Sequence, residues 1–295
     1  MPIRQPDMGT SPLPAYYARI TNHRRNGMKI FVYGATGTVS GALVDKLLAA
    51  GHEVFAGSRN PGKIAPRDRL TAVHIDSKTP AQGIEVLEKA DAAFLIGPPA
   101  VVDAWSALSP LIEKAKQVKL KKTVLMTAIG VDHAPAEAPM RRLELAVEGS
   151  GLAYNILRPN WFMQNFHTFW IGGILKDGKI YFPGGDAKAS FIDARDIAAT
   201  VFELLTSDKH VGRAFTLTGP AGVTHAEAAA KLSAATGKKI EYADITSEAF
   251  LAGLKSAGLP ADYAGFLAYI AQVLKDGHVA AVSGDVKLVT GKDPI

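Results

Sequence analysis

Residues 28–60 read MKIFVYGATGTVSGALVDKLLAAGHEVFAGSRN. The segment opens on KIFVYGA, a β-rich run that predicts a buried strand. It then passes through GATGT into a predicted helix over Val39 to Ala50, with Ala42, Leu43, Leu47 and Leu48 on its apolar side. HEVFAGS predicts a second strand. A glycine turn between a first strand and a first helix has three uses: the tight turn itself, close approach of backbone to a pyrophosphate, and packing of helix on strand. Gly34 and Gly37 meet the first two, with Thr36 between them. Ser40 stands where a third glycine would fall, and Gly41 follows it. The N–H groups of Thr38 and Val39 would then face the phosphates, where the helix dipole favours an anion.

The end of the second strand selects the dinucleotide. A site for NAD wants an acid there, about 20 residues after the loop, to hold the ribose 2′-hydroxyl. Here the strand ends Gly57-Ser58-Arg59-Asn60, with Lys63 close by and no acid among them. A guanidinium and a hydroxyl suit a 2′-phosphate instead. The sequence therefore predicts NADP(H) in preference to NAD(H).

Outward from this unit the alternation continues. LTAVHID, AAFLIGP, KTVLMTA and AYNILRP predict further strands. The helices between them are placed around Ala81 to Lys89, over Val101 to Val118 and over Met140 to Gly149. Strands alternating with helices imply an α/β fold, a doubly wound parallel-sheet Rossmann domain. Ligands in such sheets bind beyond the carboxyl ends of the strands, where strand order switches. The segments GATGT, GSRNPGK, IGPPA, TAIG and RPNWFMQN should thus form the site, adding Gly97, Pro98, Pro99, Thr127 and Pro159 to the cofactor-binding set.

After Pro159 the rhythm changes. PNWFMQNFHTFW is dense in aromatics. A helix starts near Asp193, RAFTLTG reads as another strand, and helices over Thr224 to Thr236, Ser247 to Ala257 and Asp262 to Leu274 follow without long strands between them. These predict a smaller, mainly helical substrate lobe made of residues 161–188 and 220–295, beside a sheet domain of 28–160 plus 189–219. Residues 1–27 are expected to be a disordered leader.

Composition narrows the functional classes. The 295-residue chain is 47% hydrophobic and 21% charged, and no apolar run reaches the roughly 18 residues of a membrane span. Zero cysteines exclude disulfides, thiolate metal sites and a cysteine nucleophile. Of the net +5, residues 1–27 carry +3, through Arg4, Arg19, Arg24 and Arg25 against Asp7. The near-neutral remainder has no electrostatic footprint for nucleic acid. The eight histidines show no H-x-x-x-H spacing, so no metal is predicted. The absence of G-x-S-x-G argues against an α/β-hydrolase. The leader has no apolar core segment and is not a secretory signal, which leaves the cytoplasm as the expected location.

Taken together, GATGTV, GSRNP, ILRPNWFMQNF, FIDARDIA, GLPADYA and VTGKDP resemble the NmrA-like branch of atypical short-chain dehydrogenase/reductases, from Met28 to Pro294. The resemblance implies NADP(H) on a Rossmann domain beneath a small substrate lobe. It extends to relatives acting on quinones, azo dyes, triphenylmethane dyes and the iminium intermediates of ergot alkaloids. Relatives usually continue past TGKDP, so it also implies a chain cut short.

Main-line members of that superfamily use a Tyr and, four residues on, a Lys. By register Glu137 stands at the Tyr position and Arg141 at the Lys position, with the preceding hydroxyl near Thr127 or Ala128. A positioned acid normally gives hydride transfer to a ketone 10²–10⁴-fold, whereas an electron-poor acceptor needs far less help. The predicted activity is therefore NADPH-dependent hydride transfer to a planar, electrophilic small molecule, a small aromatic or quinonoid substrate, by a monomer or homodimer with no nucleic-acid or membrane partner. Arg141, Thr127 and His167 are the weak catalytic candidates, and Arg141 also falls in the cofactor set. Trp161, Phe162, Phe166 and Trp170 could stack a flat substrate, or equally form the core between the lobes. The alternative is a non-catalytic NADP(H)-binding redox sensor, distinguished by having no need of a cavity above the nicotinamide.

Overall fold

A computed structural model describes residues 27–79 and 83–295. The expected leader therefore lies outside the described residues apart from Gly27, as does the start of the helix expected from Ala81. Beyond that gap the chain forms a short 3₁₀ turn over Ile84–Lys89.

In chain order the sheet domain contains β1 (Lys29–Val32), α1 (Thr38–Ala49), β2 (Glu53–Ser58), β3 (Leu70–His74), β4 (Ala92–Ile96), α2 (Ala104–Gln117), β5 (Lys122–Met126), α3 (Pro139–Glu148) and β6 (Tyr154–Pro159). The chain then enters the small lobe through α4 (Ile171–Asp177) and β7 (Lys179–Phe182). It returns to the sheet with α5 (Ala194–Thr206) and β8 (Arg213–Leu217). The lobe resumes with α6 (His225–Thr236), β9 (Glu241–Asp244), α7 (Ser247–Ser256) and α8 (Ala261–Lys275), and α9 (Asp285–Thr290) closes the chain.

Seven strands pair in parallel in the order β3-β2-β1-β4-β5-β6-β8. The order reverses between β1 and β4, which is the switch point of a doubly wound sheet. Both faces of the central strands are covered, and β4, for example, reads as an unbroken apolar run. Along β1 and β4, Ile30, Val32, Ala92 and Phe94 pack toward α1 and α5, while Phe31, Ala93 and Leu95 pack toward α2 and α3. Removing each large side chain such as Phe31 or Phe94 from water, both 0% exposed, contributes about 1.5–3 kcal/mol.

The helix ends follow from local chemistry. Asp103 accepts from the Ser106 backbone N–H at the start of α2, and Asp193 accepts from that of Arg195 at the start of α5. Thr224 and Glu227 form a reciprocal capping box on α6.

The lobe is mainly helical, and β7 and β9 add a second, two-stranded parallel sheet to it. One feature differs from the sequence expectation: residues 285–295 do not stay in the lobe. Val286 belongs to the sheet-domain core, Thr216 N–H donates to Asp285, and Ile295 N–H donates to Asp196. The final helix thus clamps β8 and α5. The lobe's own core gathers Phe166, Trp170, Ile180, Phe182, Phe191, Phe250, Leu254, Leu267 and Leu274.

Candidate active site

The strand-order reversal opens a groove of about 560 Å³ at the carboxyl ends of β1, β2 and β4. Every residue that the sequence places in the β1, β2 and β4 loops of the cofactor set lines it: Gly34, Thr36, Gly37, Thr38, Val39, Ser58, Arg59, Lys63, Gly97, Pro98 and Pro99. Gly34 has φ +65°, a left-handed conformation that a side chain strains. At Gly37 a Cβ would lie 3.2 Å from the Gly34 carbonyl oxygen and fill the cradle. Gly37 is also the N-cap of α1 and offers no capping side chain, so the first-turn N–H groups open onto the groove. Ser40, in place of the third glycine, is buried and donates from Oγ to the Tyr33 carbonyl oxygen at 3.0 Å. It stitches helix to strand where a glycine would only make room.

Arg59 and Lys63 are exposed at the groove's edge, and neither makes an ion pair among the described residues. Ser58 between them and the strand is buried, its Oγ accepting from the Asn60 N–H at 3.1 Å. Two unpaired cations at the end of β2, with a helix N-terminus across the groove, make an anion site.

The groove continues past Phe162, which lines both spaces, into a second cavity of about 330 Å³. One wall is the sheet domain, with Thr127, Ala128, Ile129, Met140 and Pro159. The other is α8, with Tyr263, Phe266, Leu267, Ile270 and Val273, and the base carries Asn160, Trp161, Asn165 and Phe169. The aromatic run therefore divides. Trp161 and Phe162 face the cavity, whereas Phe166 and Trp170 do not: they are 9% and 4% exposed and pack inside the lobe, 4.8 Å apart between ring centroids. Trp161 does both, since it also stacks on Trp170 at 6.1 Å. Phe166 and Trp170 leave the substrate set because their rings are needed to close the lobe's core, and Phe169 enters it.

The polar candidates sort as clearly. His167 is exposed and lines neither cavity. Arg141 also lines neither; its guanidinium donates to Glu144 at 2.7 Å and to Glu148 at 3.2 Å. Glu137 is exposed ahead of α3. Glu144, 0% exposed, is the hub that sequence reasoning missed. Its carboxylate accepts from Thr127 Oγ1 at 2.7 Å, from Arg158 Nε at 2.9 Å and from Arg158 Nη2 at 2.8 Å, besides Arg141. Arg158 also pairs with Asp132 at 3.1 Å. Burial works against the Arg158 charge, but hydrogen bonding and attraction from Glu144, then Asp132, hold its guanidinium above its ordinary pKa. Thr127 faces the cavity with its hydroxyl proton committed to a saturated carboxylate, and offers the pocket only lone pairs.

The sequence placed α8 in the substrate lobe and Asn165 in the site segment RPNWFMQN without giving either a role in the site; the Asn165 carboxamide makes no hydrogen bond among the described residues. The GLPADYA segment held one signal, an aromatic residue at the start of α8. Among the described residues no group of three or more histidines and carboxylates is placed to hold a metal ion, and no helix is long and apolar enough to cross a membrane.

A family model described as NAD(P)H-binding matches residues 34–208. The NAD(P)H azoreductase of Xenophilus azovorans is 32% identical over 272 residues, covering 89% of this chain and 93% of its own. The uncharacterized oxidoreductase YesF of Bacillus subtilis (strain 168) is 31% identical over 270 residues, covering 90% and 91%. An NADPH-dependent quinone oxidoreductase from Escherichia coli, solved with NADPH, shares the fold with a TM-score of 0.76 at 23% identity, over 90% of this chain and 96% of that one.

Proposed function

The chain belongs to the NAD(P)H-binding family of oxidoreductases, and from that membership we propose that it prefers NADPH and transfers hydride to a planar, electrophilic small molecule of the quinone, azo or cationic-dye type. The observation that carries this reading is the pair of joined spaces: a groove with an anion site at one end, leading past Phe162 into an aromatic and aliphatic cavity. A sensor that binds cofactor without chemistry needs no second cavity.

The residues fit the dinucleotide. The Gly34–Gly37 cradle leaves room for backbone to approach a pyrophosphate, the uncapped start of α1 supplies N–H donors, and Arg59 with Lys63 would hold a 2′-phosphate. When bound, the reduced nicotinamide supplies a hydride. Phe162 stands where the two spaces meet, and Thr127 and Pro159 line the cavity beyond it. Trp161, Phe162 and Phe169 present ring faces or edges to a flat acceptor, and α8 lines the other side with mainly apolar side chains. Asn165, the free carboxamide of the cavity, orients a polar substituent by donating or accepting one hydrogen bond. Neither register position of the missing Tyr–Lys pair reaches the cavity, since Glu137 is exposed and Arg141 is held by Glu144. Acceptors that take a hydride readily suit such a site.

The test is NADPH and NADH oxidation, followed by absorbance, against quinones, azo dyes and triphenylmethane dyes. Turnover with NADPH preferred is expected. Arg59→Ala should reduce that preference about 10- to 100-fold, the worth of one or two charge-assisted hydrogen bonds to phosphate. Tight NADPH binding with no turnover across the panel would overturn the proposal in favour of a sensor.

A further inference from the structure

Reduction of an azo group needs a proton as well as a hydride, and the residues lining the cavity restrict where that proton can come from. Thr127 has given its hydroxyl hydrogen to Glu144, which is itself filled by Arg141 and Arg158. Asn160 has given its amide hydrogens to Ser190 Oγ and the Val279 carbonyl oxygen. Asn165 and Trp161 can donate hydrogen bonds but do not release protons near neutral pH. Among the described residues, the one titratable side chain lining the cavity is Tyr263, in the first turn of α8.

Its placement is specific. The Tyr263 ring lies near-parallel to that of Phe266, with centroids 6.4 Å apart. Its ring lines the substrate cavity opposite Thr127, and its hydroxyl donates to no group among the described residues, so the phenol's own hydrogen is left for the cavity. Burial pushes the Tyr263 phenol above its ordinary pKa, against the opposing pull of the Ala100 N–H, so the group is protonated at neutral pH.

We propose that Tyr263 is the proton donor of the reaction, acting from the lobe side of the cavity in place of the missing Tyr–Lys pair; this rests on the function proposed above. For an azo acceptor, the hydride from NADPH bonds to one nitrogen and the N=N π bond breaks. The electron pair moves to the second nitrogen, which takes the Tyr263 proton. The phenolate is then reprotonated by water, so that NADPH, H⁺ and the azo compound become NADP⁺ and the hydrazo compound. A triarylmethyl cation needs no proton, because hydride alone turns it into a neutral product.

That difference supplies the test. Full-length wild type and Tyr263→Phe are compared with NADPH on an azo dye and on a triarylmethyl cation, with NADPH affinity measured separately by fluorescence. The expected result is a fall of about 100-fold in kcat for the azo dye, with KM, cation turnover and NADPH affinity changed by less than about threefold. The solvent deuterium isotope effect on azo reduction should change in the variant. Equal losses on both acceptors would make Tyr263 a packing residue and overturn the proposal, as would undiminished azo turnover. If wild type reduces the cation but not the azo dye, the proton-donor role falls while the hydride-transfer reading stands; no wild-type turnover of either, with NADPH bound, overturns both.

Discussion

Replacing His225 with leucine should remove much of the acid sensitivity of the small lobe. The imidazole is the first residue of α6 and is 0% exposed. It lies against the Phe182 ring at 4.5 Å and the Tyr242 ring at 5.6 Å, with Trp170 and Phe191 meeting it edge-on. Neither ring nitrogen has a hydrogen-bond partner among the described residues. Burial pushes the His225 pKa down to about 4, against a weaker upward pull from Asp244, whereas an exposed histidine titrates near 6.5. The unfolded chain therefore binds a proton that the folded lobe excludes. Stability is full above about pH 6.5, declines as pH falls, and levels off below about pH 4. Each pH unit in that window costs about 1.4 kcal/mol, or about 3 kcal/mol across it and about 2 kcal/mol by pH 5. Leucine has similar bulk and nothing to protonate. Urea unfolding of both proteins, followed by far-ultraviolet circular dichroism at about pH 7.5 and pH 5, measures the difference. The variant should gain about 2 kcal/mol on wild type between the two pH values. Parallel losses in the two proteins, agreeing within about 0.5 kcal/mol, would refute the assignment.

Glu144→Gln leaves the buried Arg158 guanidinium with the partly exposed Asp132 as its one carboxylate partner, which costs about 3 kcal/mol. Thermal unfolding should shift down on the order of 10 °C, and an unchanged midpoint would remove the carboxylate's structural role. Gly37→Val puts a branched side chain into the cradle beside the Gly34 carbonyl. NADPH affinity by calorimetry should drop at least tenfold while the circular dichroism spectrum stays that of wild type; unaltered affinity would show that the cofactor does not lie over this turn.

The sheet and its groove were legible because each depends on a local rule. A parallel strand buried on both faces must be apolar throughout, as β4 is over Ala92–Ile96. The turn after β1 must carry glycine where φ is positive, as at Gly34. The residues just after β2 lie at the groove wherever the sheet is doubly wound, and so Arg59 could be placed without seeing it. The lobe offered no such rule. Strands β7 and β9 have four residues each, too few for an alternating pattern to stand out among flanking glycines and charges. α9 is a six-residue helix whose return to the sheet is fixed by Val286 and Asp285, through contacts across the chain. The aromatic run was visible, but the rings that line a cavity and the rings that fill a core have the same composition. Phe162 and Phe166 are separated only by the direction of a 3₁₀ turn over Met163–His167.

The polar side of the site was hidden for a different reason. Glu144 and Arg158 lie 14 positions apart on α3 and β6, and nothing local says that they meet beneath Thr127. Their meeting decides the chemistry left to the pocket. The helix after β5 contributes a carboxylate, Glu144, that takes the hydrogen of the Thr127 hydroxyl beside it. That wall can accept hydrogen bonds and can hold a nicotinamide or substrate N–H, but has no proton to release. Among the described residues, the side chain with a titratable proton on the cavity's lining is Tyr263, on the opposite wall in α8, which is where the proposal places the acid. An acid on the lobe rather than the sheet makes protonation depend on how the two wall elements are seated against each other. Substitutions that shift α8 against the sheet domain should therefore alter azo reduction more than cation reduction, even where no residue in contact with the acceptor has changed.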